Sequence, residues 1–152
     1  MTSGEAENEH RLQSIADELR LATGASRTTI RGPMPGEETT IALLAESLAD
    51  GIESMHGGPQ AGIVEAETYT YLRETLEILV QPDCARGPKP PETLTDGYGI
   101  RAQLLGPLVV GATVIGTVSV HQKDSTRNWT SSDIEALKTA VRHVRDEWKL
   151  DS

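Results

Sequence analysis

The side chains best suited to chemistry in this chain fall two residues apart in three short stretches. In SRTTIR (26–31), Arg27, Thr29 and Arg31 alternate with Thr28 and Ile30. In GIRAQLL (99–105), Arg101 and Gln103 alternate with Ile100, Ala102 and Leu104. In VIGTVSVHQ (114–122), Thr117, Ser119 and His121 alternate with Val118 and Val120. Two is the side-chain period of a β-strand, so each stretch has one apolar and one polar side. Placed on one face, the polar sides make a floor of Arg27, Arg31, Arg101 and His121 beside the neutral donors and acceptors Thr29, Gln103, Thr117 and Ser119. Guanidinium groups grip carboxylate or phosphate oxygens through paired hydrogen bonds, so such a floor suits a small anion. A sheet with one wet face shows the same alternation and binds nothing. What favours a site here is a long segment able to cover that face.

No catalytic or metal-binding constellation accompanies the floor. His10, His56, His121 and His143 are scattered without ligand spacing, so neither a metal nor a cofactor is expected. Ser119 and His121 make no nucleophile pair without a third group to orient the base. His121 itself suits either a neutral hydrogen-bonding role in a pocket or a structural role at a strand end. Cys84, the single cysteine, has Asp83 beside it, which raises a thiol pKa; Arg86 opposes that effect, and a packed cysteine is the expectation. Glu46, in LLAES, is equally suited to be a buried counter-charge to an arginine or to face solvent.

These residues need a scaffold, and 152 residues are enough for one domain with a core that needs no disulfide or metal. A disordered tail is expected over 1–9 and the domain over 10–150. The net charge of −9 opposes binding to nucleic acid or an anionic membrane, both of which require clustered Lys and Arg. The chain has no Phe and little aromatic surface for stacking single-stranded bases. Its acidic start is unlike a signal peptide, and no apolar run approaches the roughly 18 residues of a membrane helix. With one cysteine, a reducing cytoplasm is the expected compartment.

Along the chain, Leu12, Ile15, Leu19 and Ala22 mark one side of a helix over 10–23, which Gly24 ends. Strands are expected over 26–31 and 39–48, although TIALLAESLA suits a helix equally on propensity, with a helix over 65–76 and a short strand over 78–81. Residues 82–99 form a Pro- and Gly-rich segment with one helical turn after Pro91; connections of this length are often lids. Strand over 100–105 and 107–110, a tight turn at Gly111-Ala112 and strand over 114–122 make a hairpin. Thr130 and Asp133 have the spacing of a capping box, and Trp129 and Ile134 that of a hydrophobic staple. Ile134, Leu137, Val141, Val144 and Trp148 continue as a narrow helical seam. The terminal helices either cover the sheet or, in part, pair with a second copy as a homodimer, a reading that Trp148 supports.

The order of helix, two strands, helix, strand, long loop, hairpin and closing helix resembles that of a GAF domain. The last third is the most similar: a strand ending in Pro107, a hairpin, Ile115-Gly116 leading into a strand, then Trp129, Thr130 and Asp133 opening the last helix. SRTTIR and LVQPDC carry a weaker likeness, the latter placing Asp83 where GAF domains often have an Asp. PAS and profilin-like domains share parts of this order. The resemblance implies an α+β fold, with a central antiparallel sheet, terminal helices on one face and a loop-covered pocket on the other. It implies ligand sensing more than catalysis. The Asn-Lys-Phe-Asp-Glu signature of cyclic-nucleotide GAF domains is absent, since the chain lacks Phe. Methionine sulfoxide reductases on this fold use several cysteines, and Cys84 has no resolving partner. Bilin-binding GAF domains attach their chromophore to a cysteine, but PDCARG departs from the photoreceptor pattern.

The sequence thus predicts a sensory module that encloses a small anion, with Arg27, Arg31 and Arg101 holding it, Gln103, Ser119 and His121 orienting it, and a lid from Asp83 and Cys84 to Tyr98 closing over it. The rivals are a dimeric adaptor with a vestigial pocket, a redox enzyme using Cys84 across a dimer, and a hydrolase using Ser119 and His121.

Overall fold

The computed structural model describes residues 3–34, 37–56 and 62–150. Helix α1 (Ser3–Thr23) leads into strands β1 (Arg27–Met34) and β2 (Glu37–Leu48), helix α2 (Glu67–Thr75) and strand β3 (Leu79–Gln81). A π-helical turn (Thr93–Gly97), strands β4 (Ile100–Val110) and β5 (Thr113–Lys123) and helix α3 (Ser131–Trp148) complete the chain. The strands form one antiparallel sheet in the order β2-β1-β5-β4-β3. This is the α+β architecture that the resemblance implies.

One sheet face is apolar because Ile30 of β1 and Val118 and Val120 of β5 are directed to it. They join Leu104 and Leu108 of β4, and α1 and α3 cover them with Leu12, Ile15, Ala16, Leu19, Leu137, Ala140 and Val144. Burying each large aliphatic side chain is worth about 1.5–3 kcal/mol, which is what fixes the helices to this face. Ala22, expected on the buried side of α1, is exposed, and Ala16 stands inside instead. Trp148, at the far end of the α3 seam, packs within its own chain against this core and close over Gly32. It therefore does not by itself speak for a dimer.

Both terminal helices have clear local causes. The first begins at Ser3, so the disordered tail expected over 1–9 is helical from there, and residues 1–2 lie outside the described residues. Arg11, 3.6 Å from Glu7 one turn earlier and 2.8 Å from Glu147 of α3, supports those early turns. Gly24 ends the helix at φ +66°, its N–H donating to the Arg20 carbonyl at 2.7 Å. In α3 the Asp133 N–H donates to Thr130 Oγ1 at 3.1 Å and the Thr130 N–H to Asp133 Oδ2 at 3.0 Å, closing the capping box. Arg127 stacks 4.5 Å over the Trp129 ring and donates to Asp133 and to the Thr23 carbonyl, tying the end of α1 to the start of α3.

The opposite sheet face is covered by α2 and the long segment after β3. Tyr69 and Leu72 of α2 pack on Ile41, Leu79 and Val114, with Tyr69 Oη donating to the Val114 carbonyl. The segment is held in place by several bonds: Gln81 Nε2 donates to the Arg86 and Pro88 carbonyls, the Thr68 N–H to the Lys89 carbonyl, and the Cys84 N–H to the Arg101 carbonyl.

Two departures from strict alternation matter for the site. A register shift between Ile100 and Ala102 leaves Arg101 as the extra residue of β4, so Ile100 packs on the loop side with Met55, Cys84 and Leu94 while Leu104 faces the helices. A second shift, between Leu108 and Val109, falls opposite Ile115 and Gly116. There Val114 faces the α2 side and Ile115 the helix side.

Candidate ligand-binding pocket

The polar positions of β1, β5 and β4 stand in register. Arg27 pairs with His121, Thr29 with Ser119 and Arg31 with Thr117 across β1 and β5. Gln103 pairs with His121 across β4 and β5, and Gln81 with Gln103 across β3 and β4. A row Arg27-His121-Gln103-Gln81 therefore crosses the sheet, with Thr29-Ser119 and Arg31-Thr117 beside it. Gly116 allows β1 to lie this close to β5, for a Cβ there would collide with the Arg31 carbonyl oxygen.

Above these rows is a cavity of about 60 Å³. Its floor is Thr29, Arg31, Gln103, Thr117, Ser119 and His121, with Leu105 beside them. Its roof and walls are Met55, Ile63, Thr68, Tyr69, Pro91, Thr93, Leu94 and Tyr98. Six of the eight floor residues named from alternation are thus brought together, with Tyr98 of the expected lid above them. At about 10–15 Å³ for each water-sized group, the cavity has room for roughly four to six such groups.

The remaining predicted residues lie elsewhere. Arg101 is exposed, because the β4 bulge turns it out of the alternation on which its placement rested; it does not line the cavity. Arg27 shares the pocket face but sits beside the cavity, its guanidinium 5.2 Å from the centroid of the Tyr98 ring. Asp83 accepts a bond from the Ala85 N–H and lies 3.8 Å from Arg86, outside the cavity lining. Cys84 is buried behind the roof residues Met55 and Leu94, beside Ile100, and does not itself line the cavity. Burial, together with Asp83 and against the opposing pull of Arg101, pushes its thiol up to about 11.

Glu46 is the buried counter-charge. Its Oε2 lies 3.5 Å from Arg27 Nε, with both side chains almost wholly out of solvent. The carboxylate also accepts from Ser54 Oγ at 2.6 Å and from the Met55 N–H at 2.8 Å, which places Met55 in the roof. Arg27 donates in turn to the Glu53 carbonyl.

Arg31 differs from Arg27. Among the described residues no carboxylate lies within ion-pair distance of it, whereas Arg27 has Glu46; buried guanidinium nitrogens without a hydrogen-bond partner occur on both, Nη1 of Arg31 and Nε and Nη1 of Arg27. Burial lowers its pKa, and Arg27 adds to that effect while Glu46 and Tyr98 oppose it. His121 is buried with Nδ1 equally unpartnered. Burial first, then Arg27 and Arg31, hold its pKa well below the usual 6.5, so the imidazole is neutral. The Thr29 and Ser119 hydroxyls bond each other, and Gln103 Nε2 donates to Gln81 Oε1 at 2.9 Å. The floor thus offers an unsatisfied guanidinium N–H and a neutral imidazole, in a site where two buried arginines face one buried carboxylate.

The roof was not legible from alternation. Thr68 and Tyr69 belong to an amphipathic helix whose partner face becomes visible only in the fold, and Met55, Pro91, Thr93 and Leu94 come from connecting segments with no period. Among the described residues no cluster of His, Cys, Asp and Glu suits a metal ion, and no helix is long and apolar enough to cross a membrane.

The family model for the GAF domain matches residues 7–146. The chain belongs to the GAF domain family. Membership gives this GAF domain a sensory, non-catalytic role. A comparison with curated proteins finds no match. Solved structures similar to this GAF domain include that of the cyanobacteriochrome TePixJ, with TM-score 0.75 and 16% identity, covering 93% of this chain and 88% of that one. The photoproduct state of GAF3 from Slr1393 of Synechocystis superposes with TM-score 0.70 at 20% identity, covering 90% of each chain. The phycoerythrobilin-bound GAF domain of a cyanobacterial phytochrome gives 0.71 at 16% identity, covering 95% of this chain and 86% of that one. At these identities the likeness is one of fold.

Proposed function

We propose that this GAF domain senses a small anion held over Arg31 and His121. The observation that carries the proposal is the pair of buried, unpartnered atoms on the cavity floor, Arg31 Nη1 and His121 Nδ1. Leaving a buried polar group unsatisfied costs about 1–3 kcal/mol, and more when it is charged. A bound anion removes that cost at Arg31, while Thr29, Thr117, Ser119 and Gln103 supply neutral contacts. Residues 83–98 close over the ligand through Tyr98 and Leu94, and Arg27 acts from beside the cavity. A single, buried and unpaired cysteine fits a reducing cytoplasm.

The bilin of the phytochrome relative is not carried over. Cys84 stands outside the cavity lining, its thiol is pushed up to about 11, and the cavity holds only a few water-sized groups. The experiment is thermal-shift screening of anions against the wild type and Arg31→Gln. A shift in the wild type that is lost in the variant supports the reading, and a shift that survives the substitution contradicts it.

A second reading concerns how a signal leaves. A groove of about 230 Å³ runs between α1 and α3, lined by Ile15, Leu19, Ala22, Ala136, Ala140 and His143 among others, with Leu21 of α1 highly exposed. It favours a homodimer through the terminal helices, so that binding is read out by contact. Light scattering after size exclusion, on the wild type and Leu21→Glu, tests it: a dimer that becomes a monomer is the expected result.

A further inference from the structure

Resting on the small-anion proposal, we infer that the ligand is a short-chain aliphatic monocarboxylate, bound with its carboxylate on Arg31 and its hydrocarbon tail against the roof. Three features of the same cavity converge on this class.

The first is charge. Arg27 and Arg31 carry two positive charges beside the cavity, Glu46 returns one negative charge to Arg27 at 3.5 Å, and His121 is neutral. One positive charge is left over, on Arg31, which has no carboxylate within ion-pair distance among the described residues and whose Nη1 has no hydrogen-bond partner. A monoanion balances it. Sulfate or hydrogenphosphate sets two negative charges against that one, and an uncompensated buried charge is costly.

The second is polarity. The floor is polar, whereas Met55, Ile63, Pro91 and Leu94 give the opposite side a hydrocarbon surface, interrupted by Thr68, Thr93 and the two tyrosines. An oxyanion with polar oxygens on every side leaves some of them against that surface without donors. A carboxylate presents both oxygens to one side, where the paired donors of a guanidinium fit them, and carbon to the other.

The third is size. A cavity of about 60 Å³ takes roughly four to six water-sized groups, which is the span from acetate to butyrate.

The test is isothermal titration of the whole chain with acetate, propionate, butyrate, hexanoate, sulfate and inorganic phosphate. Affinity is expected to rise by about fourfold for each added methylene up to butyrate and to fall at hexanoate, with sulfate and phosphate at least tenfold weaker than butyrate. Arg31→Gln is expected to abolish butyrate binding. Should that variant fail to fold, Ile63→Ala carries the test, because opening the roof moves the optimum to a longer acid; an unmoved optimum overturns the inference. Sulfate or phosphate binding as tightly as butyrate, and lost with Arg31, overturns the monocarboxylate while leaving the anion site standing. No binding by any of the six overturns both.

Discussion

Glu46 Oε2 lies 3.5 Å from Arg27 Nε, two nearly inaccessible charges on neighbouring strands of the sheet. The same carboxylate takes bonds from Ser54 and Met55, so the ion pair also anchors the segment that brings Met55 to the roof. Arg31, on the same face of β1, has no such partner among the described residues. That asymmetry between two arginines is the physical basis of the site.

Glu46→Gln removes the counter-charge and leaves Arg27 buried without compensation. Breaking a buried pair from one side costs about 3–5 kcal/mol. Urea denaturation is expected to show a lower midpoint by that order, with an unchanged slope. The variant also raises the positive charge beside the cavity, so its preference for butyrate over sulfate narrows.

His121 gives the fold an acid-sensitive element. Above about pH 6.5 its imidazole is neutral in both the folded and unfolded chain and contributes nothing to the pH dependence. Below that, the unfolded imidazole takes a proton which the folded one, buried beside Arg27 and Arg31, refuses. Stability then falls with falling pH by up to about 1.4 kcal/mol per unit. The remaining histidines, His10, His56 and His143, are exposed. Denaturation midpoints between pH 7 and 5 are expected to show this slope in the wild type and a shallower one in His121→Gln.

Cys84 is expected to resist thiol chemistry. With its thiol pushed up to about 11 by burial and Asp83, almost none is thiolate at pH 8. Reaction with a disulfide reagent should be slow in native buffer and become rapid in denaturant. Rapid labelling of the native protein would contradict the burial of this side chain among Met55, Leu94 and Ile100.

Gly116→Ala tests the close approach of β5 to β1. A Cβ at this position meets the Arg31 carbonyl oxygen and the Gly32 Cα, neither of which is a flexible side chain, so the strands must part. Overpacking of this kind costs about 1–3 kcal/mol. Because the displaced backbone is that of Arg31, calorimetry is expected to show weakened anion binding as well as a lower melting temperature.

Much of the floor was legible in the sequence because strand alternation carries real geometric information. Thr29, Arg31, Thr117, Ser119 and His121 all lie on bulge-free stretches of β1 and β5, where period two holds. Arg101 shows where it stops: a single extra residue in β4 turned its side chain outward, and nothing in GIRAQLL signals a bulge. Glu46 could be read as a counter-charge or as a surface residue, because its burial depends on the Ser54-Met55 segment folding back over β2. The early turns of α1 were missed for a similar reason: Arg11 bonds Glu147 at the other end of the chain, a contact with no local trace. The capping box of α3, by contrast, is complete within four residues, and it was visible at once.

Nitrogen-detected NMR of labelled protein, titrated with butyrate and separately with phosphate, tests the central claim most directly. Saturable shifts of the Arg31 guanidinium and His121 ring nitrogens, with the imidazole staying neutral and exposed Arg101 unmoved, are the predicted result. Shifts confined to Arg101 and other surface arginines, with Arg31 and His121 silent, would contradict it.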